Sequence, residues 1–119
     1  MSGVVIQLQG ERPMSWNTFY SGKHWSVRKD EADRVHMLVA SKCLDYTPFT
    51  RPVDIRFYVG FKNHPQDPDN IAVKLYIDGL KGRVIVDDTF KQIRSVRVDA
   101  FKSALPFVTI TVNEVDETA

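Results

Sequence analysis

The sequence predicts a single α+β domain in which a mixed β-sheet carries its helices mainly on one face. Three observations predict it. Strand-like alternation recurs at the start, middle and end of the chain, two amphipathic helical patterns lie between, and no repeat, low-complexity stretch or linker divides the 119 residues. A chain of this length supports one core and not two independent ones, so the domain is expected to span 1–119. At 43% hydrophobic and 26% charged residues, its composition is that of a folding chain and not a disordered one.

The elements follow in order. Val4, Ile6 and Leu8 fall on one face of an extended segment, with Gln7 and Gln9 opposite. From Pro13 to Trp25 no period is sustained, which predicts an ordered loop whose aromatics Trp16, Phe19, Tyr20 and Trp25 need burial. Ser26 can cap a helix to about Leu44, with Val35, Leu38, Val39 and Cys43 as its apolar stripe. Val53, Ile55, Phe57, Val59 and Phe61 alternate with Asp54, Arg56, Tyr58 and Gly60, the clearest strand. Asn63 to Pro68 reads as a loop, and Asp69-Asn70 as the N-cap of a short helix ending near Gly79. Val84-Ile85-Val86 is a short apolar run, while Gln92 to Phe101 and Phe107 to Val112 read as two further strands. The acidic tail from about 114 is expected to be loose.

Several function classes are excluded at this level. No apolar run reaches the roughly 18 to 20 residues that span a bilayer, and no leader pattern opens the chain, so neither membrane insertion nor export is expected. Cys43 is the single cysteine, which suits a reducing cytoplasm and core packing. A net charge of +1 gives no global footprint for nucleic acid, although a locally basic face is compatible with it.

The informative stretch is His64-Pro65-Gln66-Asp67-Pro68-Asp69-Asn70, followed after one helix by Val86-Asp87-Asp88-Thr89. Hard cations such as Mg²⁺ take oxygen ligands, and a few carboxylates leave room for phosphate and water. An extended Asp-x-Asp sends its side chains to opposite faces, so the turn at Pro68 must redirect one of them if they are to share an ion. Each pair also has an ordinary role: Asp69 as a helix cap, Asp87-Asp88 as a turn. Lys74 on the intervening helix can offset phosphate charge or pair with Asp78, four residues on. None of His24, His36 and His64 forms a spaced pair, and only His64 lies close to the acids.

Asp67-Pro68-Asp69-Asn70-Ile71, Lys74, Asp78-Gly79-Leu80 and Val86-Asp87-Asp88 resemble the signature of RusA-like Holliday junction resolvases, endodeoxyribonucleases of phages and prophages. Asn17 in Pro-Met-Ser-Trp-Asn, followed by a basic helix, extends the resemblance upstream. The lysine departs from the family's spacing: Val73 stands four residues after Asp69, with Lys74 next. Asp78 shifts by the same step, as in a register change within the motif.

The resemblance implies that Asp67, Asp69 and Asp88 bind one or two Mg²⁺, for which Mn²⁺ can substitute, with Asp87 as an accessory and Lys74 as the catalytic or DNA-positioning lysine. It also implies a homodimer whose dyad matches a four-way junction. DNA contacts are then expected from Asn17, Lys23, Arg28, Lys29, Lys62 and Asn70, with Lys91, Arg94 and Arg97 as further basic positions. The expected activity is resolution of Holliday junctions by paired symmetric nicks in recombination and repair, in the cytoplasm of a bacterial or phage-infected cell. Cleavage of other branched DNA, or junction binding without catalysis, are the competing expectations.

Overall fold

A computed structural model describes residues 3–20, 22, 24–63 and 66–115. The element order is β1 (Gly3–Gln9), α1 (Trp16–Tyr20), α2 (Trp25–Ser41), β2 (Val53–Phe61), a 3₁₀ turn (Pro68–Asn70), α3 (Val73–Leu80), β3 (Ile93–Lys102) and β4 (Phe107–Glu114). The four strands form one sheet in the order β1-β4-β2-β3, with β2 and β3 parallel and the other two pairs antiparallel. The chain is thus an α+β fold with a mixed sheet. A parallel pair needs a crossover, and α3 with its flanking loops provides it between β2 and β3.

Period-two alternation puts one apolar row of each of β1, β2 and β4 into a shared core. Val4, Ile6 and Leu8 of β1, Ile55, Phe57 and Val59 of β2, and Val108, Ile110 and Val112 of β4 are buried there. Val35 and Val39 of α2 and Leu75, Tyr76 and Leu80 of α3 join them from the helical side. The opposite sheet face stays accessible. Val5, Thr111, Arg56 and Arg97 share one row across it, and Gln7, Thr109, Tyr58 and Asp99 the next. Arg56 lies over the Tyr58 ring at 4.7 Å, and Tyr58 stacks on Phe101. No helix among the described residues is long and apolar enough to cross a membrane.

Local chemistry moves several boundaries from their sequence expectations. The loop 13–25 contains α1, started by Ser15, whose Oγ accepts from Thr18 N at 3.1 Å. Phe19 is buried and Trp16 packs on the core, but Tyr20 and Trp25 remain 60% and 63% exposed. His24, not Ser26, caps α2: its ring Nδ1 accepts from Ser26 N at 3.2 Å. That helix ends at Ser41, before Leu44, and Cys43 lies past it yet fully buried, where desolvation pushes its thiol pKa up. Neither Asp69 nor Asn70 caps α3. They belong to the 3₁₀ turn, and α3 begins after Ala72 with no side-chain cap. The run Val84–Val86 is a turn, with isolated bridges from Ile85 to Phe49 and Lys81. β4 extends to Glu114, and Val115 N donates to Pro52 O, so order reaches beyond the expected start of the loose tail; 116–119 lie outside the described residues.

Helices α2 and α3 pack at close range because α3 carries Gly79 where they meet. A Cβ there would stand 2.6 Å from Val39 Cβ and 2.9 Å from His36 O. Gly79→Ala should therefore destabilise the fold by about 1–3 kcal/mol through overpacking, read by urea denaturation. An unchanged midpoint would show that the helices can part at no cost.

The accessible sheet face carries a second signature. The Arg94 guanidinium, helped by Ser95, holds the Asp54 carboxyl below the usual carboxylate range; Arg56 and Arg97 do the same for Asp99. A depressed folded-state pKa adds stability above the unfolded value, about pH 4, that is lost as pH falls through the folded one. Asp54→Asn should flatten the loss of stability between about pH 4 and pH 2. Parallel acid limbs for variant and parent would remove Asp54 from the account.

Candidate metal centre

Two chain segments meet to form the site. The first is the loop after β1, which ends at Ser15 and delivers Asn17 on the exposed side of α1. The second follows β2: Pro68 opens the 3₁₀ turn, and Asp67 precedes it in extended backbone at φ −71° and ψ 147°, its side chain capping nothing. Backbone bonds pin the segments together. Ala72 N donates to Met14 O at 2.8 Å, and Ser15 bridges to Ile71. Tyr76 of α3 closes the connection, its hydroxyl accepting from Met14 N at 3.0 Å.

The result is a cleft of about 350 Å³ lined by Asn17, Gln66, Asp67, Asp69 and Asn70. The turn thus resolves the Asp-x-Asp problem by bringing both carboxylates to one cleft. Neither has a hydrogen-bond or ion-pair partner among the described residues. Asn70 Nδ2 donates to Gln66 Oε1 at 2.9 Å, which occupies the amide nitrogen and leaves the Asn70 carbonyl oxygen as a donor atom for a cation. Two unpaired carboxylates among amide oxygens make an all-oxygen donor set, which fits Mg²⁺ or Mn²⁺ better than a thiophilic metal.

The other acids are elsewhere. Asp87 Oδ1 accepts from Thr89 N at 3.0 Å and its Oδ2 from Thr89 Oγ1 at 2.8 Å, and these bonds hold its carboxyl below the usual range. Asp88 Oδ1 lies 3.8 Å from Lys81 Nζ, at the C-terminal end of α3. Buried Gln92 fixes that turn: its Oε1 accepts from Val86 N and Asp87 N at 2.9 and 2.7 Å, while its Nε2 donates to Phe49 O and Arg51 O. The cleft is at the other end of α3, a helix that at 1.5 Å per residue is roughly 12 Å long, and Asp88 is not among its walls. Within one chain, no three His, Cys, Asp or Glu side chains of the described residues converge as a metal group. Lys74 is exposed in the first turn of α3 and pairs with Asp78 at 3.2 Å, and it is not a wall of the cleft.

Among the expected DNA-contacting residues, Asn17 and Asn70 line the cleft, and Lys62 lines its neighbour. Arg28 lies over the Tyr20 ring at 5.4 Å, and Lys29 pairs with Asp33 at 2.8 Å. Arg94 and Arg97 are engaged with Asp54 and Asp99. Lys23 and His64 lie outside the described residues.

Sequence reasoning passed over Gln66 and Glu11. Gln66 had a local signal, its place directly before Asp67. Glu11 had none, because its partners Arg34 and Tyr76 are 23 and 65 residues away.

Titrating Mn²⁺ into isotope-labelled protein should broaden the amide signals of Asn17, Asp67, Asp69 and Asn70 first, and Asp67→Asn should weaken the effect at least about tenfold. Broadening that begins at Asp87 and Asp88 alone would move the centre. No protein-family model matches this chain, and no curated protein does.

Proposed function

We propose that this chain is a Mg²⁺-dependent endodeoxyribonuclease of the RusA-like type, resolving Holliday junctions by paired symmetric nicks in recombination and repair. The observation that carries the reading is the convergence of Asn17, from the upstream motif, with Asp67, Asp69 and Asn70 on a single cleft. Nothing in local helix capping requires that convergence.

Asp67 and Asp69 are the residues that would hold Mg²⁺, which when bound supplies a Lewis acid for a phosphoryl oxygen. Asn17 can donate its amide hydrogens to the same phosphate and so orient it. Lys74 stands one helical turn beyond Asn70. Its exposed pair with Asp78 is worth only about 0.3–0.5 kcal/mol, so exchanging that partner for a phosphate is cheap.

Asp88 joins this chemistry through the dimer. With the cleft and Asp88 at opposite ends of α3, a two-fold axis that pairs unlike ends of two copies brings each Asp88 to the other copy's cleft. A homodimer then makes two equivalent centres, as symmetric nicking of a four-way junction requires.

A second reading, junction binding without cleavage, is favoured by the Asp88–Lys81 pair and the Asp87–Thr89 turn, which give both acids structural work. Cleavage of labelled four-way, three-way and linear duplex DNA, with Mg²⁺ or with chelator, separates the readings. Paired nicks confined to the four-way junction and to Mg²⁺ are expected, with equal cutting of three-way DNA indicating a broader branched-DNA nuclease. Asp67→Asn, Asp69→Asn and Asp88→Asn should each abolish cutting while junction binding persists. Mixing Asp67→Asn with Asp88→Asn protein should restore nicking, since one centre of the mixed dimer is whole. Full cutting by Asp67→Asn would sink the assignment, and a mobility shift without nicks in either condition would establish the binder.

A further inference from the structure

A second cleft, of about 750 Å³, adjoins the acidic one. Gln66 lines both, and Thr18 on its wall follows Asn17 on the other. Its charged walls are Glu11, Arg12, Arg34 and Lys62, with Asn63, Ser15 and Thr18 as neutral polar groups. The one carboxylate is already spent. Arg34 Nη1 and Nη2 donate to the two Glu11 oxygens at 3.0 and 3.2 Å, and Tyr76 Oη donates to Oε2 at 2.8 Å. Burial and Glu11 together push the Tyr76 phenol far above its ordinary range, so it remains a donor at any physiological pH.

With Glu11 cancelled by Arg34, Arg12 and Lys62 set the charge of the cleft. Both are exposed, and neither has an ion-pair or hydrogen-bond partner among the described residues. Lys29, Arg51, Arg56, Lys74, Lys81, Arg94 and Arg97 are each paired with a carboxylate, and Lys42, Arg83, Lys91 and Lys102, which like Arg12 and Lys62 have no such partner among the described residues, line neither cleft. Two uncommitted cations thus stand in a cleft that shares Gln66 with the acidic one.

We infer that the second cleft, through Arg12 and Lys62, is the anchor for the phosphate backbone of the DNA arm that enters the acidic cleft. This rests on the nuclease reading for its orientation, but it is a statement about binding alone. Phosphates flanking the scissile one meet these cations, which fix the register of the strand, while the acidic cleft, repulsive to phosphate without a cation, takes the reacting group.

The test is fluorescence anisotropy of a fluorescein-labelled four-way junction in chelator, over a salt series from about 50 to 200 mM. Arg12→Gln and Lys62→Gln should each weaken binding several-fold and reduce the slope of log affinity against log salt by about 0.9, the double variant by about twice that. Arg12→Lys should keep the parental slope, and Lys42→Gln, on neither cleft, serves as the control. Thermal melting confirms that each variant folds. Slopes and affinities for Arg12→Gln and Lys62→Gln that match Lys42→Gln would overturn the anchor even if the protein nicks junctions normally. Parental protein that fails to bind the junction also overturns it. If the slopes change as expected but no nick appears with Mg²⁺, the nuclease reading falls and the anchor stands.

Discussion

The buried Glu11 carboxylate is the constraint on which the functional end of this molecule depends. It lies just past the first strand, 8% exposed, and is held by a two-pronged guanidinium from α2 and a phenol from α3. Removing a charge of this kind from water is costly, and only a full set of partners offsets it. Satisfying it therefore obliges three separate parts of the chain to meet at one point. Tyr76 then accepts from Met14 N, which ties the loop after β1 to α3 and sets Ser15 against Ile71. The walls of both clefts inherit their positions from that knot.

The sheet was legible in the sequence wherever one face is buried. β1, β2 and β4 each alternate apolar and polar residues because their apolar rows meet the helices, and their extents were close to those observed. β3 is an edge strand with no buried residue, so its extent was marked by its bounding turns more than by its periodicity. Capping was read less well. A serine beside a histidine looks like the cap, but the imidazole takes the role, and the acidic pair before α3 is used in a 3₁₀ turn because Pro68 sets the preceding backbone extended.

The candidate site was legible in part for the same reason. Asp67, Asp69 and Asn70 are neighbours in sequence, and the turn brings them to one cleft; Asn17 joins them across the loop its motif marked. Asp88 was grouped with them through the family resemblance, and within one chain it pairs with Lys81 at the C-terminal end of α3, since residues before and after the helix of a β-α-β crossover lie toward its opposite ends. The Glu11 knot left no trace at all in local pattern, since a lone acid after a strand is indistinguishable from a solvated turn residue until the fold closes around it.

Cys43 has a consequence of its own. Fully enclosed, with its thiol less acidic than in water, it is shielded from thiol reagents for as long as the core of α2, α3 and the sheet is closed. Its alkylation rate in native buffer is then governed by how often that core opens, and the chain carries a built-in clock for its own breathing.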